Sequence, residues 1–242
     1  MAKRFSILIG CLILLCSETA FAYEVRDLAG ENYYPEQGQW TYHYTYAYPQ
    51  LAGDENDAVA MTVNETFALI LSEMRDLAMP MFAASPEMTE DGRVEVDQHY
   101  RVTCLTERIF SVLLIKTETR QDGSVLYAIE PEVFDIGGDY AGETLTLRGL
   151  VRVGDSSDQL AEAVMEDLYR QFLDLQAQGV CRADVTRGDF FEITAPTLDF
   201  YADENENAVF FLQPELMVNP SADVPAFVYT PEALLALVEQ AP

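Results

Sequence analysis

The side chains best suited to chemistry are few and widely spaced in this chain. Its two histidines are His43 and His99, and residues 23–242 contain two cysteines, Cys104 and Cys181. A histidine metal pair or a zinc site needs close spacing such as H-x-H or C-x-x-C, and neither pattern occurs. No serine has the G-x-S-x-G context of an activated nucleophile. The sequence therefore predicts no catalytic residues, no metal ligands and no cofactor.

Carboxylates are so numerous that pairs of them arise by chance. The chain has 41 acidic and 14 basic residues, a formal net charge of −27, so no glycosidase pair can be named. Residues 203–207 place oxygen side chains at alternate positions, but they lack the glycine and the distant glutamate of a calcium loop. We interpret this segment as a hairpin turn and the chain as non-enzymatic.

Residues 1–22 are predicted to be an export signal. Two basic residues precede an apolar run over 5–16, and a small-x-small cleavage site places the cut between Ala22 and Tyr23. The run is shorter than a membrane span, so no stable membrane insertion is expected after cleavage. A lipoprotein signal ending at Cys11 is the alternative, although apolar residues continue beyond it. The mature chain is expected in the periplasm or outside the cell.

The excess of acid increases when the signal is removed. Residues 1–22 contain two basic residues and one acidic residue, which leaves 12 basic and 40 acidic residues and a formal net charge of −28. Such a field repels nucleic acids and anionic membranes and favours basic partners or cations. Solubility alone is the simpler explanation of the same charge.

The two cysteines of the mature chain are predicted to pair. Cys104 ends an alternating run in which Tyr100 and Val102 share its face, so its side chain points inward. Two cysteines in an exported chain favour a disulfide between Cys104 and Cys181, which would contribute about 4 kcal/mol in the chain-entropy model. Two separately buried thiols are the alternative.

An aromatic ladder occupies the start of the structured region. In a strand over 40–48, alternation places five rings on one face: Trp40, Tyr42, Tyr44, Tyr46 and Tyr48. The favoured interpretation is a core face packed against a helix. The alternative is a carbohydrate platform, in which Trp40, Tyr42 and Tyr44 contact the ligand.

The remaining segments predict one α+β domain over 40–242, preceded by a loosely ordered lead-in over 23–39. A helix carries an apolar stripe from Val59 to Leu77 and is expected to stop at Pro80. A second helix begins near Ser156, in a capping-box pattern, and ends at Gly179. Thr230-Pro231 starts a short C-terminal helix.

Strands are predicted between these helices. Three long strands are followed by shorter ones, at 94–103, 109–117, 125–136, 144–147, 190–194, 198–201 and 209–212. The turn signal at 121–124 joins the second to the third. Helices alternating with hairpin-spaced strands favour a mainly antiparallel sheet packed against two long helices.

Several short segments, in this order, resemble one bacterial envelope domain. The domain occurs at the C-terminus of RsiV-type anti-sigma factors and PdaC-type peptidoglycan deacetylases. The matching pieces are Tyr48-Pro-Gln-Leu51 before a helix carrying Asn64, Arg108–Leu114, Phe134–Ile136, Gly142–Leu147, Val209–Glu215 and Pro225–Pro231. The resemblance covers about residues 40–239 and implies an exported α+β domain. In the RsiV-type relatives it also implies lysozyme binding.

Two segments depart from the family pattern. Residues 120–126 lack the family's Gly-Gly-Ala-His, and 219–223 replace a segment that contains tyrosine and glycine. The function expected from charge and resemblance together is a non-enzymatic cell-envelope binding domain that engages a basic protein such as lysozyme. A peptidoglycan- or glycan-binding module with exposed aromatics is the alternative, and a wall-active enzyme is third.

Overall fold

The computed structural model describes residues 23–54, 56–84, 92–138, 140–151, 157–194 and 199–240. The predicted signal over 1–22, with Ala22 and the alternative Cys11, lies outside these residues. No helix of the described ranges is both long enough and apolar enough to span a bilayer.

A five-stranded sheet in the order β1-β2-β3-β4-β5 forms the centre of the fold. Its strands are β1 (Glu24–Tyr34), β2 (Tyr42–Ala52), β3 (Val94–Leu105), β4 (Ile109–Arg120) and β5 (Val125–Asp135). Neighbours are antiparallel except β2 and β3, which run parallel. A parallel pair needs a crossover connection, and the helical segment between β2 and β3 supplies it. The predicted α+β fold with a mainly antiparallel sheet is confirmed.

Helix α1 (Ala58–Glu73) begins where the sequence predicts. The Asp57 side chain caps it by accepting hydrogen bonds from the backbone N–H groups of Val59 and Ala60, each at 3.0 Å. The expected stop at Pro80 is wrong, because the chain continues through a π-helical turn, Met74–Ala78, into α2 (Met79–Ala83). Pro80 lies in the first turn of α2, directly after the π-helical turn.

The second half of the chain forms a smaller sheet and four more helices. The sheet consists of β6 (Phe200–Ala202), β7 (Ala208–Phe211) and β8 (Ala226–Tyr229), in that order. The helices are α3 (Leu147–Val151), α4 (Ser157–Ala177), α5 (Arg187–Ile193) and α6 (Pro231–Gln240). The described residues therefore contain six α-helices, where the sequence predicted two long ones and one short one.

Two apolar cores lie on opposite faces of the large sheet. On the α1 side, Tyr48, Phe67 and Phe134 are fully buried. On the other side, α4 and the small sheet enclose a second core that includes Phe172 and Phe210. A third cluster places Phe211 of β7 with Leu113, Ile115 and Ile129. The small sheet therefore covers β4 and β5 on the face opposite α1.

Three further sequence predictions differ from the structure. The lead-in over 23–39 is wrong, because residues 24–34 form β1 and pair with β2 along its whole length. The strand predicted over 144–147 is reduced to one bridge between Thr144 and Phe134. The strand predicted over 190–194 is wrong, because these residues form the end of α5 and its C-terminal cap. A capping box between Thr186 and Asp189 starts this helix.

Candidate binding surface

Most of the aromatic ladder is core. Tyr42, Tyr44 and Tyr48 are buried against α1 and its extension, with exposures of 5%, 0% and 0%. The hydroxyl groups of Tyr44 and Tyr48 lie 2.6 Å apart, and burial raises the pKa of both phenols. The core interpretation is therefore confirmed for these rings, and the prediction of Tyr42 and Tyr44 as ligand contacts is wrong.

Trp40 departs from the ladder. It precedes the first residue of β2, and a bend at Thr41 interrupts the alternation. Its ring centroid lies 5.6 Å from His43 and 6.2 Å from Tyr33, while Tyr33 stacks on His43 at 4.3 Å. The Arg93 guanidinium lies 5.1 Å from the centre of the Trp40 ring. We call Tyr33, Trp40 and His43 the aromatic cluster.

Two residues of the aromatic cluster, Tyr33 and His43, belong to a face of β1, β2 and β3 that remains exposed. Register pairs Tyr33 with His43 and His43 with Glu95, and the next row pairs Glu31, Thr45 and Asp97. Glu31, Tyr33, Thr45, Glu95, Asp97 and His99 are exposed, and His43 is half-buried. We call these seven residues the open face. It offers ring surfaces, carboxylates and a hydroxyl group on one side of a rigid sheet.

Each histidine of the open face lies beside a carboxylate. His43 Nε2 is 3.3 Å from a Glu31 carboxylate oxygen, and His99 Nδ1 is 3.8 Å from one of Asp97. The Tyr33 hydroxyl donates to the same Glu31 carboxylate at 2.9 Å. No group of three or more metal-ligating side chains converges within the described ranges. These contacts suit hydrogen bonding and charge recognition.

The cysteines differ from the predicted disulfide. Cys104 and Cys181 are both free and buried, each packed as an apolar side chain of the α4-side core. Cys104 follows a bulge in β3, and Cys181 forms an isolated bridge with Met217. Burial raises the pKa of the Cys104 thiol to about 12 and that of Cys181 to about 11. The structure corresponds to the alternative of two separately buried thiols.

A cleft of about 510 Å³ lies between the β4–β5 hairpin and the segment over 214–220. Its walls include Lys116, Tyr127, Arg182 and Met217, and no histidine, cysteine or serine is among the described residues that line it. Lys116 lies 3.6 Å from Glu130.

Basic side chains are largely neutralised within the molecule. Eight of them form ion pairs with carboxylates: Arg26, Arg75, Arg108, Lys116, Arg120, Arg170, Arg182 and Arg187. The outward field is therefore dominated by carboxylates without a basic partner. The Arg108–Glu206 pair, at 3.3 Å, also joins the β3–β4 turn to the β6–β7 turn.

Sequence reasoning missed Glu31, Tyr33 and Arg93 as surface residues. Glu31 and Tyr33 lie in the segment predicted to be a loosely ordered lead-in, and Arg93 directly precedes the strand predicted over 94–103. In the structure, exposed Glu31 and Tyr33 alternate with half-buried Asn32 and Tyr34, an alternation of burial that their residue types do not show.

Comparison with known proteins supports the fold. No family model and no curated protein matches the sequence. The structure of a DUF3298 family protein from Bacteroides fragilis NCTC 9343 is similar, with a TM-score of 0.53 and 14% identity over 87% of this chain and 91% of that one. A DUF3298 protein from Pseudomonas aeruginosa PAO1 has a TM-score of 0.47 and 11% identity, over 88% and 93%. The chain shares its fold with an uncharacterised bacterial domain family.

Proposed function

We propose that this chain is an exported, non-enzymatic binding domain of the cell envelope that engages a basic protein through its acidic surface. The observation that carries the proposal is the internal pairing of eight basic side chains in a chain of net charge −27. The unpaired carboxylates attract a cationic partner over long range. The resemblance to RsiV-type domains motivates lysozyme as the partner to test.

Binding to lysozyme at two ionic strengths tests this proposal. Between about 0.01 M and about 0.15 M the Debye length falls from about 30 Å to about 8 Å. We expect binding at low salt that weakens steeply with added salt. A second basic protein of similar size is the control for charge alone. Failure of lysozyme to bind at low salt would remove the lysozyme form of the proposal.

A second function has its own observation. The aromatic cluster places Trp40 and Tyr33 on the surface, where sugar rings stack on aromatic faces, and the Glu31 carboxylate beside them can accept hydrogen bonds from hydroxyl groups. We therefore propose glycan binding at this cluster as the alternative. Trp40 is the only tryptophan, so its fluorescence should change when muropeptides are added. Unchanged emission with the wild type would exclude this alternative.

A further inference from the structure

The outer edge of β1 has no partner strand in the described structure. β1 is the first strand in the sheet order and pairs with β2 over all eleven of its residues. Among the described residues, its further backbone hydrogen bonds come from Thr41, whose backbone N–H and hydroxyl donate to the Tyr34 carbonyl. An exposed edge of this length presents a row of unpaired donors and acceptors.

The backbone groups that point outward can be identified from Leu51. Its N–H donates to Asn64 Oδ1 at 2.7 Å, and its C=O accepts from Asn64 Nδ2 at 2.9 Å. Leu51 therefore does not bond to β1, so its register partner Val25 also points its backbone groups away from β2. Pro49, which has no N–H, pairs with Asp27 and fits the same pattern.

Backbone groups in a strand point alternately to its two sides, so the assignment made for Val25 applies to every second residue of β1. Five residues present outward N–H and C=O groups: Val25, Asp27, Ala29, Glu31 and Tyr33. They span roughly 27 Å of extended chain. This length is sufficient for an added strand of about eight residues.

The side chains of β1 determine which strand can be added. Glu24, Asp27 and Glu31 are exposed, and the one basic side chain, Arg26, is paired with Glu24 at 3.1 Å. A second copy of this edge would bring acidic side chains against acidic side chains, which is unfavourable. Asp27 and Glu31 lie four residues apart on one face of β1, so an added strand with lysine or arginine four residues apart would find a carboxylate opposite each of them.

We propose that β1 recognises an extended, cationic peptide segment by strand addition. The inference rests on the proposed function, because the segment belongs to the basic partner described there. The charges that discourage self-association at this edge are the same ones that select the partner.

A labelled peptide with the sequence Thr-Lys-Val-Lys-Thr-Lys-Val-Lys tests the inference. Fluorescence anisotropy measures its binding to the wild type, to Ala29→Pro and to the matched control Ala29→Thr. Proline removes one outward N–H and leaves the β1–β2 ladder intact. We expect Ala29→Thr to bind like the wild type and Ala29→Pro to bind about tenfold more weakly. Circular dichroism verifies that both variants fold.

Residue-resolved amide exchange gives an independent reading. The peptide should slow exchange at Val25, Asp27, Ala29, Glu31 and Tyr33, whereas the intervening amides are already protected by β2. Peptide binding without this alternating protection, or equal binding by Ala29→Pro, overturns the inference.

Lysozyme binding distinguishes a failure of the strand-addition inference from a failure of the proposed function. If lysozyme binds at low salt but the peptide does not protect β1, strand addition is wrong and the proposed function remains. If the peptide protects β1 but lysozyme does not bind, the edge site stands and the lysozyme form of the function fails. If neither binds, both are rejected.

Discussion

The side chain of Asn64 in α1 forms hydrogen bonds with both backbone groups of Leu51 in β2. Asn64 Oδ1 accepts from the Leu51 N–H at 2.7 Å, and Asn64 Nδ2 donates to the Leu51 C=O at 2.9 Å. The contact joins the helix to the end of the strand. It also explains why the segment Tyr48-Pro-Gln-Leu51 is followed by a helix that carries an asparagine, because this asparagine hydrogen-bonds the last residue of the segment.

Replacing Asn64 by alanine should destabilise the fold by roughly 1–3 kcal/mol, because it leaves the N–H and C=O of buried Leu51 without their partner. Urea unfolding of the variant measures the loss. Glu65→Ala, at the neighbouring exposed position of α1, is the control and should change stability by less than about 0.5 kcal/mol. Equal effects of the two substitutions would contradict the assigned role.

The paired hydroxyl groups of Tyr44 and Tyr48 predict non-additive substitutions. Either single change to phenylalanine removes one partner of a buried hydrogen bond and should cost about 1–2 kcal/mol. The double variant removes both polar groups, so its loss should be smaller than the sum of the singles. Thermal or urea unfolding of the four proteins gives the coupling, and strict additivity would show that the hydroxyls do not interact.

Glu132 predicts a pH dependence of stability. Burial, with a contribution from Glu130, raises the pKa of its carboxyl group from 4.5 to about 7. The folded chain therefore retains a proton that the unfolded chain has released, so this group makes stability fall as pH rises from about 4.5 to about 7.

The variant Glu132→Gln isolates this effect. It should match the wild type near pH 4.5 and exceed it by roughly 1–3 kcal/mol near pH 8, because glutamine is never charged. Unfolding free energies of both proteins across this range provide the measurement. A constant difference between them at all pH values would show that Glu132 does not titrate in this way.

The free thiols of Cys104 and Cys181 can be counted directly. In the chain without residues 1–22, a thiol reagent should label neither cysteine in the native protein, because both are buried and their thiols have a raised pKa. Denaturation without reductant should expose two reactive thiols per chain. Finding none after denaturation would instead support the predicted disulfide.

Patterns in the sequence located much of the fold but less of the candidate surface. The three long strands from Val94 to Asp135 and the helix start at Thr230 follow from local periodicity and chemistry, and the structure contains them. β1 escaped prediction because an edge strand is held mainly by backbone hydrogen bonds to its neighbour, which leave little trace in side-chain types. The open face escaped because its residues come from three strands brought together by register.

The sequence by itself determined that alternate tyrosines of β2 share a face, because side chains in a strand alternate. It also determined the acidic excess. Only the tertiary structure decided that α1 covers the tyrosine face, that a bend at Thr41 places Trp40 with His43 on the other side, and that nothing pairs with the outer edge of β1 within the described residues. The physical reason is that periodicity specifies which residues point the same way, whereas long-range packing decides which of the two faces is buried.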